Sequence, residues 1–398
     1  MGGPRSEMQT LTFRPCPLVM TEGHIRREPV RPPAYRQLDF AEQFDSETLI
    51  FDAFFHRENE VLLTAPPFLN LLPLLRKMVI TAAPSGKTCK FRMRTLDRHG
   101  QIHVDVPSQT RSLVLSSEIG QFQIEPQANH SDFFADARVL FTLSKNNRLE
   151  WIQDWIRYHR DIHGATGVLI YDNKSTKYSQ EDLLGAISAI SGIDRACVVD
   201  WPFRYGPQGL DAKRFWDSDF CQAGAWEHAR WAFLQRARSA MNADVDELVI
   251  SEDGSSVFDA AERSHLGIVR YRGHWVHGFM GRTRIADEQS PIRVVDFDHY
   301  LRHSVRRRWG LFPVRVDACP PKWTVVPSRC PDRAQWAPHR IKGWAKSLPL
   351  RRNFSFRHFR EIGDGWKYDR SAREPFDTER YAFDHVMRAN FAAVRWTA

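Results

Sequence analysis

Short apolar runs broken by turn residues fill the first third of the chain. Residues 60–63, 76–81, 89–94 and 101–106 each read as a strand. Phe91, Met93, Ile102, Val104 and Val106 alternate with polar neighbours, so one face of these strands is expected to be buried. This predicts an accessory β-sandwich-like domain over 38–131. Residues 1–37, rich in Pro, Arg and Glu, read as a flexible N-terminal arm. The rhythm changes near Asp132. Residues 139–143 form a buried strand, and 148–163 a helix with Ile152, Trp155, Ile156, His159 and Ile162 on one face. Gly164 and Gly167 end that helix, and 168–171 is the next strand. Ser179 and Asp182 are spaced as a capping box opening a helix over 181–190, followed by a strand over 196–199. A helix over 219–240 then leads to Asp244-Val245-Asp246-Glu247. Strands alternating with helices predict an α/β fold with a mainly parallel sheet and helices on both faces.

Composition changes this picture little. The chain has 398 residues, enough for two domains, and at 42% hydrophobic and 26% charged it has the make-up of a soluble globular protein. No apolar run approaches the ~20 residues of a membrane span, and no secretory signal stands out. The six cysteines lack C-x-x-C spacing, which argues against a zinc site and fits reduced thiols in a cytoplasm. Charge is uneven. Residues 301–398 hold 21 Lys/Arg against 9 Asp/Glu, interleaved with Trp309, Trp323, Trp336, Trp344 and Trp366. Such a segment suits a polyanion, an anionic membrane surface or a solvated basic face. No zinc finger, helix-turn-helix or RNP motif accompanies it, so nucleic acid is the least favoured partner.

The chemistry concentrates at strand ends. Asp is depleted in strands, so Asp244 and Asp246 one residue apart beside an apolar run call for a reason. Hard oxygen ligands suit Mg2+ or Mn2+ shared with phosphate oxygens. Asp172-Asn173-Lys174-Ser175 follows the second strand of the βαβ series. Its carboxylate can take a nucleobase or ribose hydrogen bond, or close an Asx-turn. Open α/β sheets bind ligands beyond the carboxyl ends of their strands, which lets the two acidic segments converge.

Taken in order, the segments beginning at Leu143, Trp155, Tyr171 and Asp244 resemble a metal-dependent GT-A glycosyltransferase, most similar to family 92 and the related family 2-like branch. The resemblance covers roughly 132–369. It implies a GT-A domain over 132–398, in which Asp172, Asn173 and Gln222 lie by the nucleotide-sugar, with core packing the other reading of Gln222; Asn146, after the first strand, reads as a ligand contact or a helix N-cap. Asp244 and Asp246 would hold Mn2+ or Mg2+ on the diphosphate. By the same match Lys322 faces phosphate, His339 is the third protein ligand of the ion, and His358 and Lys367 close over the diphosphate. The sequence departs from the family pattern at Asn146-Asn147, where Asn-Glu is usual, and at Lys177, where an Asp is frequent.

The implied reaction moves a sugar from a nucleoside diphosphate sugar, UDP-linked by preference, to a hydroxyl of a glycan, polysaccharide or lipid-linked saccharide, with inversion. Glu252 and Asp253 are the candidate bases for the acceptor proton, and a plain turn is the other reading of Glu252-Asp253-Gly254. The expected location is cytoplasmic, with peripheral contact at the inner face of an anionic membrane. The competing expectations are a nucleic-acid or polyanion-binding protein using the basic segment and an inactive glycan-binding relative.

Overall fold

The computed structural model describes residues 8–277, 292–308, 312–315, 319–344, 353–363 and 377–397. The fold is mixed α/β, organised on one sheet of eleven strands. Strands β1 (Gln9–Phe13), β2 (Arg138–Ser144), β3 (Gly167–Asp172), β4 (Arg195–Asp200) and β5 (Ser239–Asn242) run parallel in the spatial order β1-β4-β3-β2-β5. Beyond β5 the pairing changes. Of the later strands, β6 (Glu247–Ser251), β7 (Ile268–Val276), β8 (Cys319–Val325) and β9 (Phe354–Phe359), β8 is antiparallel to both β5 and β7. β6 is antiparallel to β9, and β9 is parallel to β7. The sheet is therefore mixed, where the sequence pattern predicts a mainly parallel one. The βαβ rhythm stops at β5: too few residues separate it from β6 for the crossover of a dozen or more that a parallel neighbour needs.

β2, β3 and β4 are buried on both faces, which explains their continuous apolar runs. Leu140, Val168, Ile170 and Val198 pack under helices α1 (Leu149–His163) and α2 (Gln180–Ser188). Phe141, Leu169, Tyr171 and Val199 pack on the other side against helix α3 (Phe220–His228). α1 ends at Gly164, whose φ of 75° is the left-handed cap that glycine adopts without strain. The capping box at Ser179 and Asp182 is formed as expected. The helix expected over 219–240 is shorter: α3 passes into a single π-helical segment, Ala229–Phe233, and Ser239 already belongs to β5. There the buried Arg230 guanidinium donates to the carbonyls of Pro331 and Ala334.

The N-terminal strands form two four-stranded antiparallel sheets sharing a core that includes Leu63, Ile80, Ile102, Val104 and Leu113. The single strand expected over 89–94 is two strands in different sheets, Lys87–Cys89 and Phe91–Leu96, parted at Lys90. The expected arm is not loose over its described part. β1 forms the parallel edge of the large sheet, and the buried guanidinium of Arg27 donates to the carbonyls of Asp45, Thr48 and Pro67. Arg31 pairs with buried Asp217 at 2.6 Å. Pro and Arg suggested solvation, but these guanidiniums satisfy carbonyls and a carboxylate that would otherwise be buried without partners. The sandwich also locks onto α3. Fully buried His228 meets Asp52 at 2.9 Å and Tyr171 at 2.8 Å, and Gln101 Nε2 donates to Glu227. No helix among the described residues is long and apolar enough to cross a membrane.

One contact sets the position of β6. Its partner strand is β9, and along the strand Val249 is held by α1. The Val249 N–H donates to His159 Nε2 at 3.2 Å, and its carbonyl accepts from His163 Nε2 at 2.6 Å and Tyr158 Oη at 3.0 Å. His159 Nδ1 donates to the Trp155 carbonyl, and His163 Nδ1 accepts from the Val257 N–H. Each ring thus uses one nitrogen as donor and the other as acceptor, which only the neutral imidazole can do.

Burial holds His159 down to about 3 and His163 to about 4. The unfolded chain takes up these protons near pH 6.5 and the native state does not, so stability is full above that pH and falls as pH drops toward 4. Lowering the pH from 7 to 5 is expected to cost about 1–2 kcal/mol for each of the two rings. Urea unfolding midpoints at the two pH values check this; equal midpoints refute the clamp.

Candidate functional site

The first strand of the βαβ series, β2, lies inside the sheet, with β3 and β4 on one side and β5 on the other. The chain's direction of travel across the sheet reverses there, which makes the carboxyl edge between β2 and β5 the place where such sheets take ligands. Ser144, Asp172 and Asp200 are in register along this edge. The loop after β2 carries Asn146, that after β3 starts at Asp172, and that after β5 carries Asp244 and Asp246.

The last of these loops builds a compact ionic cluster. Lys322, on β8 and fully buried, places Nζ 2.8 Å from Asp244 Oδ2 and 2.9 Å from Glu247 Oε2. Glu247 Oε2 also accepts the Asp244 backbone N–H at 3.0 Å, closing the turn. On the other side His358 Nε2 lies 3.0 Å from Asp246 Oδ2, with Nδ1 3.5 Å from Glu247 Oε1. Trp275 covers the imidazole, ring centroids 4.2 Å apart. Register explains the convergence: Glu247 opposes His358 across β6 and β9, and Trp275 opposes His358 across β7 and β9.

Burial pulls the Lys322 ammonium down, but Asp244 and Glu247 together push it above the ordinary lysine range, so it stays charged. Burial raises the Glu247 carboxyl, with Asp244 and Asp246 adding to this against Lys322 and His358. Three carboxylates thus face one ammonium and one imidazole. The Asp244 and Asp246 side chains are 32% and 15% exposed, so among the described residues the carboxylates outnumber the basic groups on an open face.

Other expected site residues are placed differently. Asp172 makes the Asx-turn: Ser175 Oγ donates to Oδ1 at 2.5 Å and the Ser175 N–H to Oδ2 at 3.2 Å, while burial raises its carboxyl. Asn146 braces the β2 loop against the β3 loop, its Oδ1 accepting the Thr176 N–H at 2.7 Å. Asn173 is buried, with Nδ2 donating to the carbonyls of Trp201 and Phe203, so its amide works inward. Gln222 accepts from Tyr205 Oη at 2.8 Å. Lys322 sits between carboxylates and not in the open position expected of a phosphate contact.

His339 is exposed at the tip of the hairpin Gln335–Ala337 and Arg340–Lys342, which Asn242 Nδ2 tethers through the Pro338 carbonyl. His358 is the imidazole that meets the acidic loop. Glu252 and Asp253 lie beyond the far end of β6, five residues past Glu247 and so about 17 Å along the strand. Asp253 closes a turn with the Ser255 N–H and hydroxyl and Asn353, which hold it down to about 2. That distance removes both from the cluster. Lys367 lies outside the described residues. Sequence reasoning gave no role to Glu247 or Trp275. Glu247 was in view as the acidic residue after the D-x-D pair, but its place on an inward strand position was not.

No protein-family model matches the chain, and no curated protein matches it.

Replacing Lys322 by Met leaves Glu247 buried without its cation. It is expected to cost about 3–5 kcal/mol, as breaking a buried pair usually does. Adding Glu247→Gln should restore part of that loss. Urea unfolding of the two single variants and the double variant measures the coupling; additive effects refute the contact.

Proposed function

We propose that the chain is a glycosyltransferase. It moves a sugar from a nucleoside diphosphate sugar, UDP-linked by preference, to an acceptor hydroxyl of a glycan, polysaccharide or lipid-linked saccharide, with inversion. The observation that carries this reading is the Asp244–Lys322–Glu247–His358–Asp246 cluster at the carboxyl edge where the strand order reverses. The resemblance of the segments around it to GT-A enzymes supports it further.

The donor set fits a divalent ion. Among the described residues no group of three or more His, Cys, Asp and Glu side chains is arranged to hold a metal. Mn2+ and Mg2+, however, commonly take only one or two protein ligands, with waters and substrate phosphates filling the octahedron. Asp246 Oδ2 and His358 Nε2 stand 3.0 Å apart, the edge length of two adjacent ligands about 2.1 Å from a shared octahedral ion. Glu247 behind Nδ1 would orient the ring, as carboxylates behind metal-bound histidines do. The mixed O and N donors favour Mn2+ over Mg2+. His358 thereby takes the part that the resemblance gave to His339. When bound, the ion supplies positive charge to the departing diphosphate.

The chain's own residues do the rest. Lys322 fixes Asp244 and keeps the loop closed, and Asp172 presents its remaining lone pairs at the neighbouring strand end for a ribose or base donor. In the transfer the acceptor oxygen bonds to the anomeric carbon as the bond to diphosphate oxygen breaks. The hydroxyl proton passes to a base on the acceptor side.

Thermal-shift measurements with UDP-, GDP-, CMP- and dTDP-sugars test the reading. One donor is expected to raise the melting temperature only with Mn2+ present, as a ligand specific to the native state does. Asp246→Ala and His358→Ala should abolish that shift and the transfer, and His339→Ala should leave both. No shift with any donor, or loss with His339→Ala alone, contradicts the assignment.

A further inference from the structure

A second pocket lies where the N-terminal sandwich meets the loop after residue 330. Its volume is about 240 Å³, and its lining includes Arg57, Arg92, Arg94, Arg333, His56 and His103. It shares no residue with the acidic cluster. The floor is closed: the side chains of His56 and His103 are only 5% and 6% exposed, and buried Trp231 stands edge-on to His56. The rim is open, with Arg57 and Arg92 55% and 53% exposed.

Charge and hydrogen bonding are unbalanced there. The lining carries four guanidiniums and one carboxylate, Asp332. Asp332 pairs with Arg57 at 2.6 Å, and Glu60 behind the wall takes Arg92 at 2.8 Å; Asp105 reaches Arg92 only at 3.9 Å. Arg94 donates to the carbonyls of Asp332 and Arg333 and to Gln101, holding its charge at the wall without a carboxylate bound to it. His103 Nδ1 is fixed on Glu60 at 2.9 Å, which leaves Nε2 without a partner, and His56 Nδ1 has none either. Buried polar atoms are normally paired, and these two nitrogens, on rings that line the basic pocket, are not.

We infer that this pocket binds a compact phosphate group, free or carried as a monoester on a sugar. Pockets for larger ligands run to ~300–1,000 Å³, so this volume suits a small anionic group. Guanidiniums pair with phosphate through parallel N–H···O bonds. A phosphate monoanion offers acceptor oxygens to the arginines and a hydroxyl to an imidazole nitrogen. A carboxylate offers acceptors only and leaves His103 Nε2, the acceptor nitrogen of a ring whose Nδ1 donates to Glu60, unmet.

Isothermal titration of the full chain with inorganic phosphate, a hexose 6-phosphate and glucuronate, all without Mn2+, tests this. Saturable phosphate binding with a dissociation constant below ~10 mM is expected. It should weaken at least tenfold in Arg57→Gln/Arg333→Gln, both exposed positions, with the ligand-free melting temperature unchanged. It should persist in Asp246→Ala, which separates this pocket from the proposed donor site. Tighter binding of the hexose phosphate than of phosphate identifies a sugar-borne group, and the reverse a free anion. Absence of saturation, equal affinity in the double variant, loss with Asp246→Ala or a preference for glucuronate each overturns the inference.

Discussion

The candidate site depends on one buried ammonium. Lys322 reaches from β8 to touch Asp244 and Glu247 at once, and in doing so it ties the loop after β5 to the strand that follows. Without that charge, Glu247 would be a buried carboxylate facing two more carboxylates, an arrangement that resolves by protonation or by unfolding. With it, the loop is closed, one oxygen of Asp244 is fixed, and Asp246 is left to His358. Lys322 and His358 hold the three carboxylates together, and the Asp244 and Asp246 side chains stay partly exposed.

The fold supplies the rigidity this needs. β6 carries Glu247, and it is held by β9 on one side and by His159, His163 and Tyr158 of α1 through Val249. The same helix packs on the parallel strands whose carboxyl ends present Asn146 and Asp172. The acidic loop and the loops carrying Asn146 and Asp172 are thus referred to one helix. The N-terminal sandwich is joined to the opposite face through the buried His228–Asp52 pair, so it braces α3 and extends the molecule's surface away from the cluster.

Much of this was legible in the sequence where the signal is local. The strands at 139–143, 168–171 and 196–199 are continuous apolar runs, and Ser179 and Gly164 mark helix ends by chemistry that needs no tertiary context. The parallel half of the sheet followed from them. The antiparallel half did not, because β7, β8 and β9 are ordered by pairings between residues 46 to 111 apart that no periodicity encodes. The same long-range register decides which residues meet at the site. His339 and His358 are equally plausible along the chain, and only the pairing of β9 with β6 brings one imidazole to Asp246. Asp253 looks close to Asp246 in sequence, yet an extended strand carries it away. β1 was read as an arm because a lone edge strand has too little pattern to announce its partner.

Electron spin-echo modulation of Mn2+ bound together with a nucleoside diphosphate tests the central claim most directly, since it counts imidazole nitrogens on the ion. The account predicts modulation from one imidazole nitrogen, lost in His358→Ala and retained in His339→Ala. Bound Mn2+ with no nitrogen modulation, or modulation that survives His358→Ala and vanishes with His339→Ala, would contradict it.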